Sequence, residues 1–342
     1  MNFFKNFFKK TKYGTGWNID PYDERRYESK EIYSAFTPVV WTEKNPSSWK
    51  KFEPIRNQNG SSSCVSYVLA VILGAENQLE EGKFVQLSPR AIYGKGFEPN
   101  GGMFYAKALQ LGKDNGAPLE VLLPSEAKGE DEMRNLQDER ESDRIVAKTY
   151  KGGAFVYLSM DIEEIASKIA EGKAVAFGTR FNSGGFSTGE VVLNKDGQYG
   201  HALVGVDFTL WKGEKALVFQ NSWGNGFGFQ GLGVITETQL KNGGFILAAY
   251  YENLTNSAGV ADNRPKIQIL SPSLKLGDQN GEVMKLQIML QYLGHFPAGI
   301  KVTGYFGGIS RKAVKDYQTS RNMTPSGLAD GQTIISINSN FI

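Results

Sequence analysis

Three features of the chain predict an α+β domain followed by a small helical module. Helix-length apolar periodicity recurs between residues 63 and 173, and Val- and Phe-rich segments separated by turn residues fill 174–237. After a break rich in Ser, Asn, Gly and Pro, two more amphipathic helices appear. Helices that precede strands, instead of alternating with them, argue against a doubly wound sheet.

The elements follow in order. Residues 1–45 are polar and mixed, with few periodic segments. Within them FFKNFFKK reads as a short amphipathic helix, more plainly tucked against its own protein than laid on a membrane. Lysines interrupt its apolar pairs, so it lacks the unbroken run of a secretory leader. SCVSYVLAVILGAENQLEEG (63–82) starts after serines and stops at a glycine, as a helix does. GGMFYAKALQLG (101–112) reads as a second helix, and MDIEEIASKIAEGK (160–173) as a third, opened by Asp161 and closed by Gly172. The charged stretch from Ser125 to Lys148 reads as a solvated helix or loop without assigned function. AVAFGTRF (174–181), HALVGVDF (201–208), KALVFQNSW (215–223) and GLGVITE (231–237) read as strands. Residues 254–273 read as a linker. Beyond it, GEVMKLQIMLQYLG (281–294) sets Val283, Leu286, Leu290 and Leu293 on one face, and SRKAVKDYQTSRN (310–322) does the same with Ala313, Val314 and Tyr317.

Composition narrows the function. The chain has 342 residues, 40% of them hydrophobic, and 38 basic against 36 acidic side chains. That balance excludes the basic footprint of a nucleic-acid partner, and no stretch has the roughly 18 apolar residues of a membrane span. One cysteine forbids an internal disulfide and fits synthesis and folding in the reducing cytoplasm. One Cys and two distant His give no zinc-ligand spacing. GNGFGFQG lies between two strands, without the helix N-terminus a phosphate site needs. No cofactor is called for.

The single cysteine, Cys64, stands where chemistry is favoured. Ser61–Ser63 are N-cap residue types, so Cys64 falls in the first turn of a helix, where the dipole favours a thiolate. A free thiol has a pKa near 8.5 and needs help at neutral pH. The second aid is a histidine to accept its proton. His295 lies in the C-terminal module; His201, 137 residues from Cys64, opens a strand. Asn221 follows on the next strand, and neighbouring strands lie about 4.8 Å apart, close enough for it to orient the imidazole. Trp223 would cover that bond. Gln58, with the Cys64 backbone N–H, is the candidate oxyanion donor.

On these residues the stretch 46–252 resembles the papain-like cysteine peptidases. It has Gln58 six residues before Cys64 at a helix start, His201 at a strand start, Asn-Ser-Trp-Gly at 221–224 and Gly-Phe-Gly at 226–228. LSPRAIY (87–93) and the Gly-Gly helix segment at Gly101 and Gly102 also match. The resemblance implies a two-lobed fold, a helical lobe and a β-barrel-like lobe. It implies Cys64 as nucleophile, His201 as base, Asn221 as its orienting partner, and Gly101 and Gly102 as the edge that pairs with substrate main chain. Trp223 lines the substrate side. Three departures stand out. Val65 replaces the usual aromatic, Ser61 stands where a structural disulfide would begin, and only about 45 residues precede the domain in place of a long pro-region.

Residues 274–342 resemble the peptidoglycan-binding-like domain, a three-helix module, through Gly277, Val283, Leu286, Gln287, Leu290, Leu293, Gly294, Gly304, Phe306, Gly307, Ala313, Val314, Tyr317 and Gln318. Most of these are core and turn residues and report fold rather than ligand. The domain plan is therefore a 1–45 extension, a peptidase domain at 46–253, a linker at 254–273 and the module at 274–342. The resulting expectation is a cysteine endopeptidase acting on peptide or protein, with the module tethering it to peptidoglycan, a cell wall or a virion. Two alternatives remain open: hydrolysis of wall peptides, and a structural or adaptor protein that retains a peptidase fold.

Overall fold

The computed structural model describes residues 15–19, 37–252, 269–297, 300, 302–338 and 340. The FFKNFFKK segment and most of the expected linker lie outside these residues. A central helix, α1 (Cys64–Glu81), ends at Gly82 in the left-handed conformation, φ 72°. Val65, Leu69, Ile72 and Leu73 are buried. So are Ser66 and Glu76 on its other sides, because α1 packs against helices on one flank and the sheet on the other. α2 (Pro89–Gly96) starts with Pro after Ser88, whose hydroxyl accepts from the Ala91 N–H.

The expected helix at 101–112 begins only at Tyr105 (α3, Tyr105–Asp114). Gly101 and Gly102 have φ of 89° and 79°, a region closed to a right-handed helix, and Met103–Phe104 form a short strand, β2. The charged stretch folds into α4 (Glu130–Arg134) and α5 (Glu141–Ala147), with Met133 and Val146 in the core. Arg90 pairs with Asp138, and Lys95 with Glu139, fastening this stretch to α2.

The second lobe is a six-stranded antiparallel sheet, ordered β3 (Ala154–Tyr157), β8 (Phe245–Glu252), β4 (Val175–Phe181), β5 (Tyr199–Trp211), β6 (Glu214–Gln220) and β7 (Leu232–Thr236). β3 and β8 are additions to the four expected strands. FILAAYYE shows no polar–apolar alternation because β8 is covered on both faces. α6 (Ile162–Ala170), capped by Asp161, closes the core on one side of the sheet with Ile162, Ile165 and Ile169.

Two segments of the N-terminal extension pack on this domain. Residues 37–45 run beside β5: the Leu210 N–H donates to Thr42 O at 2.9 Å, and Lys44 Nζ meets Asp207 at 2.7 Å. Trp17–Asn18 form β1, parallel to β2. The expected boundary at 45 therefore falls inside packed structure. The C-terminal module holds α7 (Gly281–Tyr292), α8 (Gly308–Ser320) and α9 (Gly331–Asn338). Ile269 is buried there and exchanges two hydrogen bonds with Asn338, at 2.9 and 3.0 Å. Residues 269–273 thus belong to the module and not to the expected linker.

Candidate active site

Cys64 is the first residue of α1, and its N-cap residue Ser63 makes no side-chain capping bond. The Ser63 hydroxyl instead meets Ser61 Oγ at 2.5 Å. α1 lies across β5, which carries His201, so the fold closes the long sequence gap between the two. The Ala202 N–H, next to His201, reaches the Cys64 sulfur.

Asn221 lies just past β6, and its Oδ1 sits 2.8 Å from His201 Nε2. The same Oδ1 accepts from the Ser222 N–H at 2.8 Å, which marks it as the oxygen. The imidazole therefore carries its proton on Nε2 and keeps a lone pair on Nδ1. Nδ1 has no hydrogen-bond partner among the described residues. Trp223 stacks on the imidazole, 4.6 Å between centroids and 25° between planes, and Phe186 meets it edge-on at 5.5 Å. Trp223 is 6% exposed and covers the His–Asn bond. Phe186 escapes sequence reading, because nothing in GGFSTG marks its place against a strand 15 residues later.

Gln58 is fully buried behind the turn that leads into Cys64. Its Oε1 accepts from Ser222 Oγ at 2.6 Å and its Nε2 donates to Ser61 O at 2.5 Å. One of its two N–H bonds remains for another acceptor.

Residues 15–19 lie across this constellation. The Gly16 N–H reaches the Cys64 sulfur, and Gly16 O accepts from the Met103 N–H at 2.8 Å. Asn18 Nδ2 donates to Gly101 O at 3.0 Å. The glycine edge expected to pair with a substrate thus pairs with the chain's own N-terminal segment. A side chain at Gly16 would overlap the Ser62 carbonyl, and one at Gly102 would overlap Gly16 O. Trp17, 4% exposed, fits beside Tyr105, and a Cβ on Gly178 would come 2.7 Å from its ring. No residue pattern in TGWNI announces this role.

Burial decides the protonation states. Desolvation pushes the Cys64 thiol up to about 12, against weaker opposing bonds from the Ala202 and Gly16 N–H groups. Desolvation pulls His201 down to about 4, against the opposing bond to Asn221. Both shifts favour the neutral thiol and the neutral imidazole. Among the described residues no His/Cys/Asp/Glu group could hold a metal ion, and no helix is long and apolar enough to cross a membrane.

The papain family cysteine protease model matches residues 40–251, more than half of the chain, and the peptidoglycan binding domain model matches 279–337. No curated protein sequence matches. Among solved structures, xylellain, a cysteine protease from Xylella fastidiosa, is 15% identical with a TM-score of 0.56; the match covers 73% of this chain and 100% of that one. Digestive procathepsin L2 from Tenebrio molitor larval midgut is 18% identical with a TM-score of 0.56, covering 70% and 78%. These structures share the fold. The chain belongs to the papain family of cysteine proteases and carries a C-terminal domain of the peptidoglycan-binding family.

Proposed function

We propose that the protein is an endopeptidase held latent by residues 15–19 and directed to peptidoglycan by its C-terminal module. Once the cleft is open, His201 Nδ1 takes the Cys64 proton and the sulfur attacks a substrate carbonyl carbon. The charge on the carbonyl oxygen is met by the Cys64 N–H and the remaining Gln58 N–H. His201 returns the proton to the departing amine, and a water activated by the same nitrogen releases the acyl group. Asn221 holds the tautomer that leaves Nδ1 basic. The observation that carries this reading is the His201–Asn221 bond under Trp223, with Nδ1 unpartnered among the described residues and the adjoining Ala202 N–H on the Cys64 sulfur.

The test is intact-mass spectrometry after brief exposure to a peptidyl epoxide at neutral pH, with free cysteine as competitor. One adduct on Cys64 is expected once the strand is loosened by Trp17→Ala, absent in a Trp17→Ala/His201→Ala double variant. Persistent silence in Trp17→Ala favours the structural-protein reading.

A further inference from the structure

A cleft formed by two chain segments needs a tie, and one cysteine cannot supply a disulfide. One wall is the turn at 57–63 that leads into Cys64; the other is the Gly101–Gly102 edge. Glu130, at the start of α4, stands between them. Its Oε2 accepts from the Ser62 N–H at 2.6 Å, two residues before the nucleophile. Its Oε1 accepts from the Tyr93 hydroxyl at 2.6 Å and from Arg134 Nε at 2.8 Å. The Tyr93 oxygen, in turn, accepts from the Gly102 N–H at 3.0 Å. Tyr93 is fully buried on α2, so this relay has a fixed base. Arg134 stacks its guanidinium on Phe97 at 4.9 Å, which holds the carboxylate from the outer side.

We propose that Glu130 is a positioning residue for peptide cleavage. Through Tyr93 its carboxylate sets the distance between the turn that carries Cys64 and the glycine edge that pairs with substrate. The proposal rests on the endopeptidase reading. The chemistry favours a carboxylate over any neutral side chain, since three donors converge on two oxygens and two of them, the Ser62 N–H and the Arg134 guanidinium, cannot accept in return. A glutamine keeps the shape but cannot serve both sides: with its oxygen kept on Arg134 and Tyr93 it turns an N–H against the Ser62 N–H, and that tie breaks.

The test uses the full chain and compares wild type with Glu130→Gln and Tyr93→Phe. Two reagents report on Cys64. Iodoacetamide needs only the thiolate, whereas a peptidyl epoxide needs the sulfur and the glycine edge in register. The ratio of their rates cancels the fraction of molecules with an open cleft. Amide hydrogen exchange at Ser62 and Gly102, followed by NMR, reports the ties themselves. Expected in Glu130→Gln is at least a tenfold fall in the epoxide-to-iodoacetamide ratio, with at least tenfold lower protection at Ser62. Tyr93→Phe is expected to lower the ratio and the Gly102 protection while Ser62 stays protected. An unchanged ratio in both variants overturns the proposal. If neither reagent modifies Cys64 in any form, the endopeptidase reading fails on its own account. The exchange arm then decides, and unchanged Ser62 protection in Glu130→Gln overturns the tie. If Glu130→Gln does not fold, Tyr93→Phe carries the same decision.

Discussion

At the scale of single residues, the candidate site is a set of buried polar atoms, most of them with assigned partners. Asn221 Oδ1 is shared between Ser222 N–H and His201 Nε2–H, so it selects the tautomer without being titratable itself. Cys64→Ala is expected to abolish peptide cleavage with an unchanged melting temperature, and His201→Ala to lower kcat by about 10²–10⁴-fold, the usual contribution of a general acid–base. Steady-state kinetics on the opened form checks both. The buried pair also predicts a pH dependence of the closed state. His201 is pulled down to about 4 by burial, so its contribution to closure is present above its ordinary value near 6.5 and is lost as pH falls through 4. Cys64 is pushed up to about 12 by burial, so its contribution is present below 9 and is lost as pH rises toward 12. Closure is therefore firmest between about pH 7 and 8, where both groups are mostly neutral whether the cleft is closed or open. The protection factor of the Gly16 amide, corrected for intrinsic exchange, is expected to fall between pH 7 and pH 5. A flat profile there means that His201 stays neutral through opening.

At the scale of elements, the two-residue strand β1 is too short to hold itself in place, and Trp17 anchors it. Two paired residues supply few hydrogen bonds, each worth about 1 kcal/mol net, whereas truncating a buried Trp costs about 3–5 kcal/mol. Trp17→Ala is thus expected to raise the rate of Cys64 modification in the full chain by at least tenfold. Gly16→Val acts by a different route, because its side chain would overlap the Ser62 carbonyl. It is expected to open the cleft to a similar degree. Equal labelling in wild type and both variants would mean that residues 15–19 do not control access. Segment 37–45 is not expected to follow β1 out of place, since Trp41 Nε1 donates to Glu163 at 2.9 Å and Lys44 pairs with Asp207 on the β-lobe.

At the scale of the whole molecule, the protease domain and the C-terminal module meet where Lys83 donates to the Tyr292 carbonyl and lies 4.8 Å over its ring. Val283, Leu286, Leu290, Phe306, Val314 and Tyr317 of the module are buried. Its two matched glutamines are structural. Gln287 bonds Tyr305 O, Ser310 Oγ, Thr303 N–H and Gly304 N–H, and Gln318 ties Leu328 O, Thr333 Oγ1 and Gly327 N–H together. Leu286→Ala is expected to destabilise the module by about 2–5 kcal/mol, seen by calorimetry as a lowered transition separate from that of the protease domain. Wall-fragment sedimentation should weaken in that variant above the module's melting point, while cleavage of a soluble peptide by the opened enzyme persists. Loss of both together would mean that the module serves the protease fold and not a tether.

Residue patterns were enough to give the fold class, helices before strands, and the family. Apolar periodicity, caps and turn glycines act locally, and the family's motif positions are readable one by one. Gln58, Cys64, His201, Asn221 and Trp223 could be nominated from residue type and spacing. It took the folded chain to show that Gly16 lies on the sulfur and Trp17 beside Gly178. The fold also decided that Phe186 walls the imidazole and that Glu130 bridges the two sides of the cleft. Those contacts join residues from 15 to more than a hundred positions apart. They depend on which loops the lobes bring face to face, and a buried tie or a steric fit between two backbones leaves no period or spacing in the chain. The protonation state is of the same kind. A cysteine at a helix start reads as a ready thiolate, whereas full burial in the folded chain pushes its pKa up.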